Sequence, residues 1–250
     1  GGPGRLEVTA GRDIDLGTSA GIASRGDLDN PALPVGGADI HLAAGVGASG
    51  IDYAATVDRL LAQLEAGSPD DTTLWLARWL TGNEDLSAAD ALSAVQAVRE
   101  LDQERQRSSV RDLVFTALRA TGRDSLQADS GYAADYARGY AALELVFPGI
   151  GDDASAYRGS INLFASRIRT ERGGDIEFLI PGGDLIVGLS NTPEQLTDLS
   201  LVTNPRDKSA LGMVTVADGA IRGFARDDVL VNQSRILTVG GGDILLWSSE

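Results

Sequence analysis

Cysteine is absent from this 250-residue chain, and histidine and methionine occur once each. Disulfides and thiolate metal sites are therefore excluded. Aromatic residues make up only 5% of the chain, against 43% hydrophobic residues overall. That balance suits thin, aliphatic-filled layers better than a deep aromatic-lined cleft. Basic residues are few: 21 Lys and Arg face 36 Asp and Glu, a formal net charge of −15. The resulting field repels phosphate backbones and anionic lipid, so neither nucleic acid nor a membrane surface is an expected partner. No apolar run approaches the roughly 18–20 residues that span a bilayer, so membrane insertion is not expected either. Gly1-Gly2-Pro3-Gly4 is neither basic nor apolar, so it does not resemble a signal peptide. The chain begins and ends in strand-like text, which suggests a piece of a longer protein whose export signal lies elsewhere.

Glycine is abundant, with 31 residues. Up to about residue 50 it opens a loose phrase, glycine, then a polar residue, then apolar and polar positions in alternation. The copies are Gly11-Arg12-Asp13-Ile14-Asp15-Leu16, Gly26-Asp27-Leu28 and Gly37-Ala38-Asp39-Ile40-His41-Leu42. Period-two alternation marks a strand with one buried face. Glycine permits a tight corner, and Asp can hold that corner by accepting from nearby backbone amides. The phrase returns after about residue 159, in Ser160-Ile161-Asn162-Leu163, Gly174-Asp175-Ile176, Gly183-Asp184-Leu185, Gly219-Ala220-Ile221, Asp228-Val229-Leu230 and Gly242-Asp243-Ile244. Many short strands with Gly/Asp corners predict a β-solenoid or an irregular sandwich. Asn191 to Lys208, with its two prolines, reads as a loop excursion.

Between these segments the pattern is helical. Val57, Leu60, Leu61 and Leu64 form one stripe. Ser68-Pro69 opens a second helix that Gly82 stops, and Ser87 with Asp90 caps a third. A fourth carries Val110, Leu113, Val114, Ala117 and Leu118 and is expected to end at Thr121-Gly122. A fifth carries Tyr132, Tyr136, Tyr140, Leu143 and Phe147, up to Pro148-Gly149. The layout is thus solenoid coils in residues 1–50, a helical insertion domain in 51–149, and further coils in 150–250.

The phrases Gly11-Arg12-Asp13-Ile14-Asp15-Leu16-Gly17-Thr18, Asn30-Pro31-Ala32-Leu33-Pro34, Leu118-Arg119-Ala120-Thr121-Gly122-Arg123, Phe224-Ala225-Arg226-Asp227-Asp228-Val229-Leu230-Val231 and Gly240-Gly241-Gly242-Asp243-Ile244-Leu245-Leu246-Trp247 carry a family resemblance. The chain resembles the C-terminal region of filamentous haemagglutinin-type exoproteins of two-partner secretion systems. The resemblance implies a mainly-β fold, a right-handed parallel β-helix carrying the helical insert. It also implies secretion to the Gram-negative cell surface through an outer-membrane secretion partner, and a role in adhesion or biofilm. It supplies no catalytic residues. The partner it implies is a host receptor, glycan or matrix component, and no cofactor is expected. The reading from another class is a carbohydrate-active β-helix enzyme, a polysaccharide lyase or hydrolase.

Six features bear on these readings. Arg25-Gly26-Asp27 matches an integrin-type attachment tripeptide, whose carboxylate must be free to complete a partner's metal site; its plain reading is one more solenoid corner. Gly173-Gly174-Asp175 and Gly182-Gly183-Asp184 echo calcium-binding nonapeptides but lack the further glycine and the tandem copies. Asp152-Asp153 and Asp227-Asp228 are paired carboxylates of the kind a glycosidase uses across a cleft, or else solvated corners. His41 lies out of phase with Ile40 and Leu42 and is expected to face solvent. The tyrosines at 132, 136 and 140 are expected to be helix core rather than a sugar platform. Asn232-Gln233-Ser234 matches a glycosylation acceptor, which is incidental in a bacterial protein.

Overall fold

The computed structural model describes residues 4–27, 29–67, 69–151, 156–188 and 211–249. The chain divides into two compact units, residues 1–50 with 154–250, and residues 51–153.

Among the described residues the first unit contains thirteen strands: β1 (Arg5–Ala10), β2 (Ile14–Asp15), β3 (Ile22–Ser24), β4 (Asp39–Ala44), β5 (Ile161–Asn162), β6 (Arg167–Thr170), β7 (Ile176–Ile180), β8 (Leu185–Val187), β9 (Gly212–Val216), β10 (Ile221–Ala225), β11 (Val229–Val231), β12 (Ile236–Val239) and β13 (Ile244–Ser248). They form three sheets, ordered β1-β4-β7-β10-β13, β11-β8-β5-β2 and β12-β9-β6-β3. Every registered strand pair is parallel. Each turn of chain lays one strand on each sheet in order, which is a parallel β-helix-like fold. Inward positions stack like on like. Ile40, Ile176 and Ile221 align in the first sheet, Ile14, Ile161 and Leu185 in the second, and Ile168 with Met213 in the third. Together they make one aliphatic core.

The corners are laddered from coil to coil. Before the second sheet, Asp13 Oδ1 accepts from Ser160 N at 2.8 Å, Ser160 Oγ from Asp184 N at 3.1 Å, and Asp184 Oδ1 from Asp228 N at 3.0 Å. Before the first sheet, Asp39 Oδ1 accepts from Asp175 N and Asp175 Oδ1 from Ala220 N, both at 2.8 Å. Asp therefore holds the corner as expected, but its bond goes to the next coil's amide. At the far end of the third sheet, Ser24, Thr170, Thr215 and Thr238 stand in register. The three threonine hydroxyls donate to Gly174 O, Gly219 O and Gly242 O, each four residues on.

The structure corrects several sequence expectations. Gly26-Asp27 does not start a strand; it lies in a turn after β3, and Leu28 is outside the described residues. The third sheet was not anticipated, because the glycine–aspartate phrase does not precede its strands. The 191–208 excursion lies outside the described residues.

The second unit contains α1 (Tyr53–Glu65), α2 (Asp71–Thr81), α3 (Ala88–Arg99), α4 (Gln103–Leu126) and α5 (Ala137–Val146). Helix α1 buries Val57, Leu60 and Leu64 from its predicted stripe. Gly82 ends α2 in the left-handed region at φ 67°, and the Ser87 side chain caps α3 by accepting from Asp90 N. Helix α2 starts later than predicted, after the cap Asp70. Helix α4 runs through Gly122 to Leu126. An internal glycine costs a helix only about 1 kcal/mol, and burial of Leu118, Ala120, Thr121 and Ser125 outweighs it. The chain then folds back over the end of α4: Ala134 N donates to Ser125 O, and Ser130 Oγ to Asp124 O. Tyr132 and Tyr136 therefore precede α5.

Candidate functional site

The attachment tripeptide sits on an enlarged corner. In the corner from the third sheet to the first, β6 reaches β7 through residues 171–175, whereas β3 reaches β4 through residues 25–38. Arg25 is exposed, 3.8 Å from Glu171. Gly26 has φ +68°, and a Cβ there would lie 2.4 Å from Val35 O. Asp27 is only 6% exposed. Its Oδ1 takes an ion pair from Arg172 at 2.8 Å and accepts from Asp29 N at 3.1 Å. The carboxylate that an attachment motif must present is thus turned inward and used to pin the loop to Arg172.

Of the other candidate carboxylates, those of Asp175 and Asp184 accept from amides of the next coil. Asp175 and Asp184 stand at different corners, so the two Gly-Gly-Asp segments do not stack over one another. Asp228 N belongs to the aspartate ladder, and Asp227 N donates to Gly183 O at 3.2 Å. Asp152-Asp153 lies outside the described residues. Among the described residues there is no group of three His, Cys, Asp or Glu side chains able to hold a metal ion. Asn232, first of the glycosylation-like triplet, donates from its backbone N to Val187 O.

His41 does not face solvent. It is 8% exposed, and its Nε2 lies 3.2 Å from Glu177 Oε2. Alternation correctly places it outward from the core. The outward row, however, aligns Glu7, His41, Glu177 and Arg222 in successive coils. Arg222 Nη2 lies 3.1 Å from Glu177 Oε1 and also pairs with Asp175.

The tyrosines are not helix core. Tyr136 and Tyr140 are 44% and 41% exposed. Tyr132 stacks under the Arg138 guanidinium, 3.5 Å from the ring centroid. Arg138 also lies 4.6 Å from the Trp75 centroid and 2.8 Å from Asp124 Oδ2. Arg138 ties α5 to α2 and to the end of α4.

Helices α1, α2 and α5 border an open cleft of about 830 Å3 that the sequence did not signal. Arg59, Glu144 and Asp70 on its wall are committed to structure. Arg59 Nε donates to Leu145 O at 2.7 Å and Nη2 to Thr56 Oγ1 at 3.0 Å. Glu144 Oε1 accepts from Gly149 N at 2.6 Å, and Asp70 Oδ1 from Thr73 N at 2.6 Å.

No family model, no curated protein and no solved structure matches the chain. Among the described residues no helix is long and apolar enough to cross a membrane.

One consequence at the cleft is measurable. The Thr73 backbone amide holds the Asp70 carboxyl below its ordinary pKa. A depressed folded-state value means the cap's stabilisation is complete above the unfolded value and is lost as pH falls through the folded one. The wild type is therefore expected to lose helical-unit stability more steeply than Asp70→Asn as pH drops through the carboxylate range. At neutral pH, Asp70→Ala is expected to cost about 0.5–2 kcal/mol, the usual loss of an N-cap. Chemical denaturation across that pH range checks both, and parallel pH profiles would contradict the cap assignment.

Proposed function

We propose that the chain is a structural and display segment of a large secreted bacterial surface adhesin of the filamentous haemagglutinin type. It is exported through an outer-membrane partner and presented at the Gram-negative cell surface, in adhesion or biofilm. In this reading the coils wind to the right, and the helical unit is a domain inserted between β4 and β5. The observation that carries it is the in-register stacking of the three parallel sheets, with side-chain ladders at the corners. A stack of this kind adds stability coil by coil, so a rod lengthens without a new core. Corners can then be enlarged at small cost, as at residues 25–38, and such loops are where binding is placed. The carboxylates that the rival carbohydrate-active reading would use, at 227 and 228, lie in a corner whose amides both bond to the preceding coil.

The test is an array of host matrix proteins, receptors and glycans, probed with the whole chain and with residues 51–153. Capture by at least one host component is expected, with no shortening of any polysaccharide. Depolymerisation abolished by a single carboxylate change would replace this reading with the enzyme. Complete absence of capture would overturn display.

A further inference from the structure

One outward face of this acidic chain is basic. In the third sheet the inward positions are Ile22, Ile168, Met213 and Ile236, so their neighbours in β6 point outward. Arg167 pairs in register with Gly212, and Arg235 lies on the other side of that glycine, its carbonyl accepting from Met213 N. In the next row Ala23, Arg169, Val214 and Leu237 align. Arg25 follows beside Glu171. Glu171 is the carboxylate of this face, 3.7 Å from Arg169 and 3.8 Å from Arg25. Among the described residues no carboxylate lies within ion-pair distance of Arg167 or Arg235.

The chain's overall charge of −15 opposes any anionic ligand, but only over distance. At physiological salt the screening length is about 8 Å, so contact-range charges decide. Coil spacing is roughly 4.8 Å, which places Arg167 and Arg235 about 9–10 Å apart along the stacking direction. Gly212 carries no side chain in the row between them, and the Arg235 backbone packs against it, its carbonyl oxygen 2.0 Å from where a Cβ would lie. Guanidinium groups bind carboxylates through paired, parallel N–H donors. Val214 and Leu237, in the adjoining row, offer aliphatic surface to the C–H face of a sugar ring. The spacing is of the order of two linked sugar rings, and the strand register fixes it.

We infer that this face binds an acidic polysaccharide bearing carboxylates, laid along the coil stack across Arg167, Arg169 and Arg235. The inference rests on the display reading, for which it names a partner class.

The test titrates the whole chain with polygalacturonate, dextran sulfate, neutral dextran and duplex DNA at low and physiological salt. Polygalacturonate is expected to bind, more weakly as salt rises, and neutral dextran not to bind. The double variant Arg167→Gln, Arg235→Gln is expected to lose affinity about tenfold or more through loss of the bidentate contacts. Arg167→Lys with Arg235→Lys keeps the charge but not the fork, and is expected to fall between. Arg99→Gln, in the helical unit, is expected to match wild type. Unchanged thermal melting controls for folding, and the lysine pair serves if the glutamine pair does not fold. No binding of polygalacturonate at low salt, or equal binding by the glutamine pair, overturns the inference. So does tighter binding of duplex DNA or of dextran sulfate than of polygalacturonate. If the array above captures the glutamine pair as well as wild type, display stands and the arginine face falls. If polygalacturonate binds through the arginines while no host component captures the chain, the reverse holds.

Discussion

Phe178→Ala is expected to destabilise the strand unit by about 4–5 kcal/mol, the upper part of the range for deleting a buried phenylalanine. Phe178 is fully buried in β7, with fully buried Leu42 in register on one side and Gly223 on the other. A Cβ on Gly223 would lie 2.0 Å from the ring carbon Cζ, so the ring fills the space of a side chain in the next coil as well as its own. Truncation therefore empties two positions. The glycine has no side chain to move into the hole, and unrelieved cavities are the costly ones. The reciprocal change, Gly223→Ala, is expected to cost about 1–3 kcal/mol by overpacking. Phe178→Leu combined with Gly223→Ala is expected to cost less than the sum of the two single changes, because these side chains share one volume. Urea denaturation of the whole chain, followed by a strand-sensitive signal, gives all four values. A loss below about 1.5 kcal/mol for Phe178→Ala would mean the coil collapses locally, and the close-packed core described above would be wrong.

The parts of this fold that could be read from sequence have a physical reason, and so do the parts that could not. The glycine–aspartate phrase found strands of the first and second sheets because Asp13, Asp39, Asp175 and Asp184 serve the same purpose at equivalent corners, each accepting from a backbone amide in the next coil. Among the described residues, entry to the third sheet has no such aspartate: β6 follows Ser166, whose hydroxyl donates to Ser19 O in the neighbouring coil, and β12 follows Ser234-Arg235. A signal for that sheet was present at its other end, as a threonine four residues before a glycine, in Thr170–Gly174, Thr215–Gly219 and Thr238–Gly242. Helix caps were legible because Ser87 and Gly82 act within one turn of their own helix. Gly122 misled because punctuation by glycine is a weak local preference that burial on both sides overrides. Tyr132 and Tyr136 misled because helical spacing means nothing before the helix begins. The basic face was hidden for a different reason. Arg25, Arg169 and Arg235 are far apart in sequence and become neighbours only through coil register, which no local pattern encodes.

Register also decides the second large effect. Glu177→Ala is expected to cost about 3–5 kcal/mol, the range for removing one partner from a buried ion pair. The Glu177 carboxylate is 4% exposed and bridges two coils, with His41 Nε2 at 3.2 Å on one side and Arg222 Nη2 at 3.1 Å on the other. Removing it leaves a guanidinium and an imidazole with less compensation in a site already withdrawn from water. The lower part of the range applies, because Arg222 retains its ion pair with Asp175 and is itself a quarter exposed. Glu177→Gln keeps the shape and one acceptor, and is expected to cost about 1.5–3 kcal/mol, the worth of a hydrogen bond to a charged group. Arg222→Leu combined with Glu177→Leu is expected to recover much of the loss, since replacing both members of a buried pair by apolar groups removes the desolvation cost of each. The comparison separates two accounts of the row. If the single and double variants lose equal amounts, the side chains matter only for packing. A coupling energy of about 1 kcal/mol or more between positions 177 and 222 shows that the charges themselves join one coil to the next.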